Sequence, residues 1–223
     1  VPHFPFPYSE VIAEVVRGRV DGLELRDFWA PTMDTFAIHE WYRLLNTGYR
    51  VSAIGGTDKM SAGMPVGGVR TYANIGDEEF SFDAWGRAVR AGRTYTTSGP
   101  LLSLSVEGSQ PGDELSLNGA TGNLQVEASA TGTMPFHKLQ VVLNGRVVAE
   151  SSEANGTTSL HVSEQISVDG SGWIAARAVS EHKAQHIWPV HFNAHTSPVY
   201  LKANGSEVFD NPTAEYLITV MEG

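Results

Sequence analysis

The sequence predicts an α/β segment followed by an all-β segment, with the boundary after Ser98. In residues 1–98, apolar residues at helical spacing alternate with short apolar runs, a pattern typical of strand–helix–strand units. In residues 99–223, only short alternating or β-branched runs occur before the last ten residues. The charge changes at the same boundary, from 10 basic and 12 acidic residues to 5 and 13. These observations favour two domains, 1–98 and 99–223.

Three helices and two strands are predicted in the first segment. They are a helix from Ser9 to Arg17, a strand at 22–25, a helix from Asp34 to Gly48, a strand at 50–54 and a helix at 82–91. Asp34 is expected to cap the second helix, because its side-chain oxygens can accept the free N–H groups of a first turn, and the third helix is expected to begin after Ser81. Since the strands alternate with helices, we expect them to be parallel.

The second segment is predicted to form a β-sandwich of immunoglobulin type, closed by a short helix at 213–221. Seven strands carry the pattern: 101–106, 123–130, 138–143, 147–150, 158–166, 173–179 and 199–203. Asn144-Gly145 between two of them indicates a tight hairpin, because both turn positions need positive φ.

Composition excludes several classes of protein. At 223 residues and 41% apolar, the chain is long and apolar enough for a substantial core, and is not a disordered chain. We expect no membrane partner, because no apolar run approaches the roughly 18 residues that a spanning helix needs. We expect no nucleic-acid partner, because the net charge is −10. The lack of Cys removes disulfides, thiolate metal sites and a Cys nucleophile.

Candidate metal ligands follow the predicted parallel strands, where α/β folds bind their ligands. Asp58 comes after the strand at 50–54 in Gly55-Gly56-Thr57-Asp58, and Glu24 and Asp27 lie in and after the strand at 22–25. His3 precedes the first helix. A histidine and carboxylates on one rim suit a divalent ion. Each residue could instead cap a loop or face solvent.

Histidines elsewhere are interpreted as structural or solvent-exposed. Four of them, His182, His186, His191 and His195, fall within fourteen positions. Because Pro189 interrupts this stretch between two predicted strands, a polar loop with scattered histidines is favoured over a helical metal site. His39 lies opposite the apolar face of the second helix and should face solvent.

The order of motifs along the chain resembles PHP-domain metallohydrolases, in the subgroup that includes carbamate-ester hydrolases. The motifs are His3 before a Pro-rich turn, Asp21-Gly22-Leu23-Glu24-Leu25, the stretch 41–48, Gly56-Thr57-Asp58, the stretch 91–100, Trp173-Ile174-Ala175-Ala176-Arg177, and 195–200. The resemblance extends over nearly the whole chain. It implies the last third of a distorted (β/α) barrel followed by a β-sandwich.

The resemblance also implies chemistry. In PHP proteins, divalent ions such as Zn, Mn or Fe activate water for hydrolysis of a small-molecule ester, usually a phosphate ester. His3 matches the late His-Pro metal motif and Asp58 matches the closing Gly-Ser/Thr-Asp motif. Glu24 matches a frequent acidic position, and Thr57 and His195 are further candidates for the lining of the site.

Two departures from the family pattern bear on activity. Met60 stands where the family commonly has a histidine two places after Asp58, and Phe4 separates His3 from Pro5. The His-x-His motif that opens a PHP domain does not occur upstream of His3. We therefore expect a fragment of a metal-dependent hydrolase with little tightly bound metal and little activity alone, and a slight bias toward an exported protein.

Two alternatives to a catalytic role stay open. In the first, residues 99–204 are a non-catalytic sandwich that binds a polymer or protein, for which Trp188 and Tyr200 are aromatic candidates. In the second, the sandwich only supports the barrel. An opened barrel would expose strand edges and apolar surface, which the chain should cover by repacking or by self-association, and we expect a homo-oligomer.

Overall fold

A computed structural model describes residues 1–25, 31–63, 65–119, 121–181 and 191–222. The helices are α1 (Tyr8–Val16), α2 (Phe36–Asn46), α3 (Phe82–Arg90) and α4 (Asn211–Glu222). The strands are β1 (Gly22–Glu24), β2 (Ser52–Ile54), β3 (Arg70–Ala73), β4 (Thr94–Thr97), β5 (Leu101–Val106), β6 (Glu114–Leu117), β7 (Thr121–Leu143), β8 (Arg146–Asp169), β9 (Gly172–Val179), β10 (Ala194–Thr196) and β11 (Val199–Ala203). Among these described residues, no helix is long and apolar enough to cross a membrane.

The centre of the molecule is a mainly antiparallel sheet whose strand order is β3-β4-β10-β9-β11-β6. Its central strand, β9, is buried at every position. Complete burial requires cover on both faces, and the side chains of β9 accordingly divide between two hydrophobic clusters. Ile174, Ala176 and Ala178 belong to one cluster, and Trp173 and Ala175 belong to the other.

One face of the central sheet forms a β-sandwich with a second layer built by a long hairpin. The first part of β7 pairs with β5, and residues 138–143 of β7 pair with β9. β8 follows β7 along most of its length, with register shifts between Thr131 and Lys138. This arrangement is compatible with the predicted sandwich, but strands that were predicted separately, 123–130 with 138–143 and 147–150 with 158–166, form the continuous bent strands β7 and β8. The predicted Asn144-Gly145 turn joins them, and both residues have positive φ.

The other face of the central sheet carries the α/β layer. Helices α1 and α2 and the strand pair β1–β2 bury an apolar cluster against it, centred on Trp41 and Trp173. β1 and β2 are parallel, as predicted, with Gly22 opposite Ser52 and Glu24 opposite Ile54. Helix α4 packs mainly on α1. The sequence predicted this helix at 213–221, and it extends by two residues at its start and one at its end.

The outer edge of β2 is covered by hydroxyl groups of the central sheet. Ser197 Oγ accepts the Ala53 N–H at 2.9 Å, and Thr94 Oγ1 donates to the Ala53 carbonyl at 2.8 Å. Thr71 Oγ1 similarly accepts from the Gly55 N–H and donates to its carbonyl. Backbone groups that a neighbouring strand would pair are thus satisfied by side chains. This edge of β2 is therefore covered within the chain, in line with the expected repacking.

Two other local predictions differ in outcome. Ser81 directly precedes α3 as predicted, and its hydroxyl caps the helix by accepting the Ala84 N–H. Asp34 does not cap α2, whose N-cap residue is Thr35. The Asp34 carboxylate instead accepts a hydrogen bond from Arg177 at 3.0 Å. The buried Arg177 on β9 therefore pairs with Asp34, the residue that the local sequence predicted as the cap of α2.

Candidate functional site

Three backbone segments end at one rim of the α/β layer. β1 pairs with β2 on one side, and on the other side the Val1 nitrogen donates to the Gly22 carbonyl while the Val1 carbonyl accepts the Glu24 N–H. This exchange has the pattern of a parallel ladder. The residues that follow all three segments consequently emerge at the same edge, as the sequence predicted from their positions after strands.

His3 and Asp58 meet at this rim. Nε2 of His3 lies 3.4 Å from Oδ1 of Asp58, with the His3 side chain 49% and the Asp58 side chain 24% exposed. Both residues have a left-handed backbone, with φ of 59° and 50°. Such a backbone costs on the order of 1–2 kcal/mol per non-glycine residue. Histidine and aspartate are among the residue types that tolerate it best. Both potential ligands, His3 and Asp58, thus lie on a left-handed backbone that few residue types adopt.

Glu24 contacts the two segments that carry His3 and Asp58. Its buried carboxylate accepts the His3 backbone N–H at 2.6 Å. A Cβ on Gly56 would stand 3.2 Å from the other carboxylate oxygen, so the loop after β2 lies directly against Glu24. Glu24 therefore positions His3 and the loop that bears Asp58. It lies beside the two candidate ligands at the rim.

The loop after β2 needs its first glycine for steric reasons. A Cβ on Gly55 would overlap Thr96 Oγ1 of the central sheet. Thr57 then closes the loop, because its hydroxyl donates to the Val69 carbonyl at 3.0 Å and accepts the Gly67 N–H at 2.8 Å. Both hydrogen bonds of the Thr57 hydroxyl lie within the loop. Thr57 therefore shapes the loop that presents Asp58.

Two other candidates near the rim have different outcomes. Asp27 lies outside the described residues. Met60, which lies two places after Asp58, is largely exposed. Within the described ranges, no three His, Asp or Glu side chains are arranged to hold one ion together. The rim therefore offers a two-ligand site made by His3 and Asp58.

His195 lies in the interior, between α2 and the central sheet, and its ring contacts Trp41 and Tyr42. Its Nδ1 is 2.8 Å from the Thr196 carbonyl, and its Nε2 is 2.6 Å from the Tyr42 hydroxyl. The carbonyl requires a proton on Nδ1, so Nε2 accepts from Tyr42. Burial lowers the pKa of His195 to about 3 and raises that of Tyr42 to about 12. Both groups are neutral, and their contacts are with the core.

His195 belongs to a polar row that crosses the central sheet. Strand pairing aligns it with Thr96 on β4 and with Arg177 on β9. The buried Arg177 guanidinium donates to Gln140, to Asp34 and to the Met33 carbonyl. The row approaches the rim through Thr96, which packs against Gly55, and through its partner Thr71 on β3, whose hydroxyl bonds to the Gly55 backbone. Arg177 follows Trp173 and Ala175 at every second position of β9 and so lies on the same face of the strand. This charged residue on an otherwise apolar face is the sequence signal that could have identified it.

The remaining histidine predictions fall into three groups. His39 is exposed, as predicted. His182 and His186, and also Trp188, lie outside the described residues. His191 is buried, with Nδ1 2.8 Å from the Ser180 carbonyl, and it does not share a partner with His195.

Tyr200 is buried against the apolar core, and Arg50 stacks over its ring. Tyr200 therefore cannot form the exposed aromatic platform considered for a binding module. The sequence matches no family model, and neither the curated proteins nor the solved structures contain a match to this chain.

Proposed function

We propose that the rim of the α/β layer is a divalent-metal site of a PHP-like ester hydrolase, with His3 and Asp58 as ligands. The observation that supports this is the 3.4 Å separation of His3 Nε2 and Asp58 Oδ1. Two ligand atoms that each lie about 2.1 Å from one tetrahedral ion are separated by nearly this distance. The pair also combines imidazole nitrogen and carboxylate oxygen, which suit Zn, Mn or Fe.

Each rim residue has a defined role in this proposal. When bound, the ion lowers the pKa of a coordinated water and polarises the ester. His3 and Asp58 hold it, and Glu24 fixes His3 through the backbone hydrogen bond. Thr57 holds the loop that carries Asp58. The partial exposure of both ligands leaves room for a small-molecule phosphate, carboxyl or carbamate ester to approach.

Two protein ligands are one fewer than catalytic zinc sites usually have. We therefore expect this chain to bind a divalent ion weakly and to hydrolyse esters slowly. The family resemblance of the ordered motifs, from His3 to Tyr200, adds support for a PHP-type barrel segment followed by an immunoglobulin-like sandwich.

The proposal is tested by calorimetric titration of the chain with Zn²⁺ and with Mn²⁺. One binding event is expected, and His3→Ala and Asp58→Ala should each weaken it at least tenfold. His39→Ala is the matched control, because this exposed histidine lies on α2 away from the rim. The affinity of this variant for the metal ion should equal that of the wild-type chain. An affinity that does not respond to either rim substitution would refute the site.

Activity is measured separately with p-nitrophenyl phosphate, p-nitrophenyl acetate and a p-nitrophenyl carbamate, with added Mn²⁺ or Zn²⁺ and with EDTA. The substrate that shows metal-dependent turnover identifies the ester class. Turnover that persists in EDTA and in Asp58→Ala would exclude the metal-dependent mechanism.

A further inference from the structure

An open cleft of about 620 Å³ lies between strands β3 and β4 of the central sheet and strands β5 and β7. Residues Leu102–Ser105 of β5 and Glu127–Ser129 of β7 border it. Among the described strands, β5 pairs only with β7 and β3 only with β4. Two of the strands that border the cleft, β3 and β5, therefore each have one edge without a strand partner among the described residues.

A rigid aromatic stack forms one wall of this cleft. Tyr72 and Tyr95 are cross-strand partners on β3 and β4, with ring centroids 4.9 Å apart and planes within 10° of parallel. The Arg70 guanidinium lies 5.4 Å from the Tyr72 centroid, and its Nε donates to the Tyr72 hydroxyl. Tyr72 nevertheless remains 40% exposed. A held aromatic ring loses little conformational entropy when a ligand packs on it.

The rest of the lining combines an apolar floor with neutral polar groups. Leu102 and Leu104 are buried beneath the cleft. Asn74 and Gln110 lie at its border, where the side-chain amide of Asn74 donates to the side-chain oxygen Oε1 of Gln110 at 3.1 Å. Ser103 adds a hydroxyl on the β5 side. Such a mixture is typical of small-molecule sites, in which a few polar groups set orientation.

The charges of the cleft are balanced. Arg93 and Glu127 both line it and both are exposed. A strongly charged ligand would leave one of these two charges without compensation. A purely apolar ligand would take the charged groups of Arg93 and Glu127 out of water without offering them a hydrogen bond. The lining therefore favours an uncharged ligand that has an apolar face and many hydroxyl groups.

We propose that this cleft binds a neutral saccharide. The C–H face of a pyranose ring would pack against the exposed part of Tyr72, and its hydroxyl groups would bond with Asn74, Arg93 and Glu127. None of the rim residues His3, Glu24 and Asp58 lines the cleft. The proposal is thus independent of the metal site, and either can fail without the other.

The test is a two-dimensional ¹H–¹⁵N NMR titration of the whole chain with cellohexaose, xylohexaose, maltohexaose and chitohexaose. Each is added to about 10 mM, at which a ~1 mM dissociation constant gives near saturation. At least one sugar should shift amide signals of β3, β4 and β5 saturably. Tyr72→Ala should weaken binding at least tenfold, whereas Tyr72→Phe should retain it. Glu127→Gln provides a second substitution, at an exposed residue, that should weaken binding severalfold.

Phe82→Ala is the control, because Phe82 is an exposed aromatic residue outside the cleft. The spectrum of each variant shows whether it is folded. The proposal is overturned if none of the four sugars causes saturable shifts in the wild-type chain. It is also overturned if Tyr72→Ala and Glu127→Gln both bind as wild type, or if only a strand-forming peptide such as (Thr-Val)₃ shifts these signals.

Discussion

At the scale of single residues, the rim shows what residue type and position along the chain can indicate. His3 and Asp58 follow predicted strands and Glu24 lies in one, and parallel pairing places the three together. For Thr57 and His195, the prediction depends on motifs alone. The hydroxyl of Thr57 is used within its own loop, and His195 is enclosed by the core. Motif membership does not distinguish these roles, because they depend on side chains distant in sequence.

The buried neutral His195 should make stability depend on pH. Burial lowers its pKa from an ordinary 6.5 to about 3, so between these values the unfolded chain binds a proton that the folded chain does not. Folding stability should therefore fall as pH decreases below 6.5, with a limiting slope of about 1.4 kcal/mol per pH unit. This dependence should be absent from His195→Gln, which keeps polar contacts but does not titrate.

The measurement is chemical denaturation of wild type and His195→Gln between pH 7.5 and 4.5. Carboxylates that titrate in this range, and Arg177 and Tyr42 beside the ring, are common to both proteins. The difference in unfolding free energy therefore isolates His195, and it should shrink by about 2 kcal/mol from pH 6.5 to 5. A difference that stays constant with pH would show that His195 can take up a proton in the folded state.

At the scale of elements, most patterns that bury apolar side chains were predictable. The strands that were missed are mostly polar, apart from β6, whose sequence Glu-Leu-Ser-Leu alternates. α3, β5 and β11 agree closely with prediction. β3, β4, β6 and β10 were missed, and β4 and β10 have the sequences Thr-Tyr-Thr-Thr and Ala-His-Thr. Such strands show little apolar alternation. In β4, Thr94 instead bonds to the β2 edge, an interaction that local sequence does not encode.

The hydroxyl cover of β2 leads to a prediction for Ser197→Ala. The Ala53 N–H would lose its buried acceptor, which should reduce stability by about 1–3 kcal/mol. Hydrogen exchange at Ala53 should accelerate at least tenfold relative to the amides of β9, which retain their ladder. Ser103→Ala is the control, since Ser103 is exposed. Equal acceleration of Ala53 and β9 amides would indicate global destabilisation and contradict a local role.

At the scale of the whole molecule, two surfaces of one sheet are buried by different layers. Residues 94–97, before the predicted boundary, pair with β10, after it. The two parts of the chain therefore share the central sheet. The surface retains large apolar side chains near the start of α3, where Phe80 is 78% and Phe82 is 81% exposed. Exposed aromatic clusters of this kind commonly mark sites of association.

We therefore predict that the chain self-associates through the surface around Phe80 and Phe82. Light scattering coupled to size exclusion, at about 10 μM, should give at least the mass of a dimer. Replacement of both residues by Ser should shift the protein toward monomer, because it removes apolar surface that association would bury. Phe209→Ser is the control, since Phe209 is exposed elsewhere. A monodisperse wild-type monomer at this concentration would contradict the prediction.

The sequence by itself determined the elements that apolar periodicity marks, the parallel relation of β1 and β2, and the group His3, Glu24 and Asp58 at one rim. These depend on short-range spacing and on the general geometry of parallel strands. Only the tertiary structure decided that β7 and β8 bend between two layers and that Asp34 pairs with Arg177. It alone revealed the cleft between β3 and β5. Those features arise where segments distant in sequence meet, and their energies depend on buried partners that no local pattern specifies.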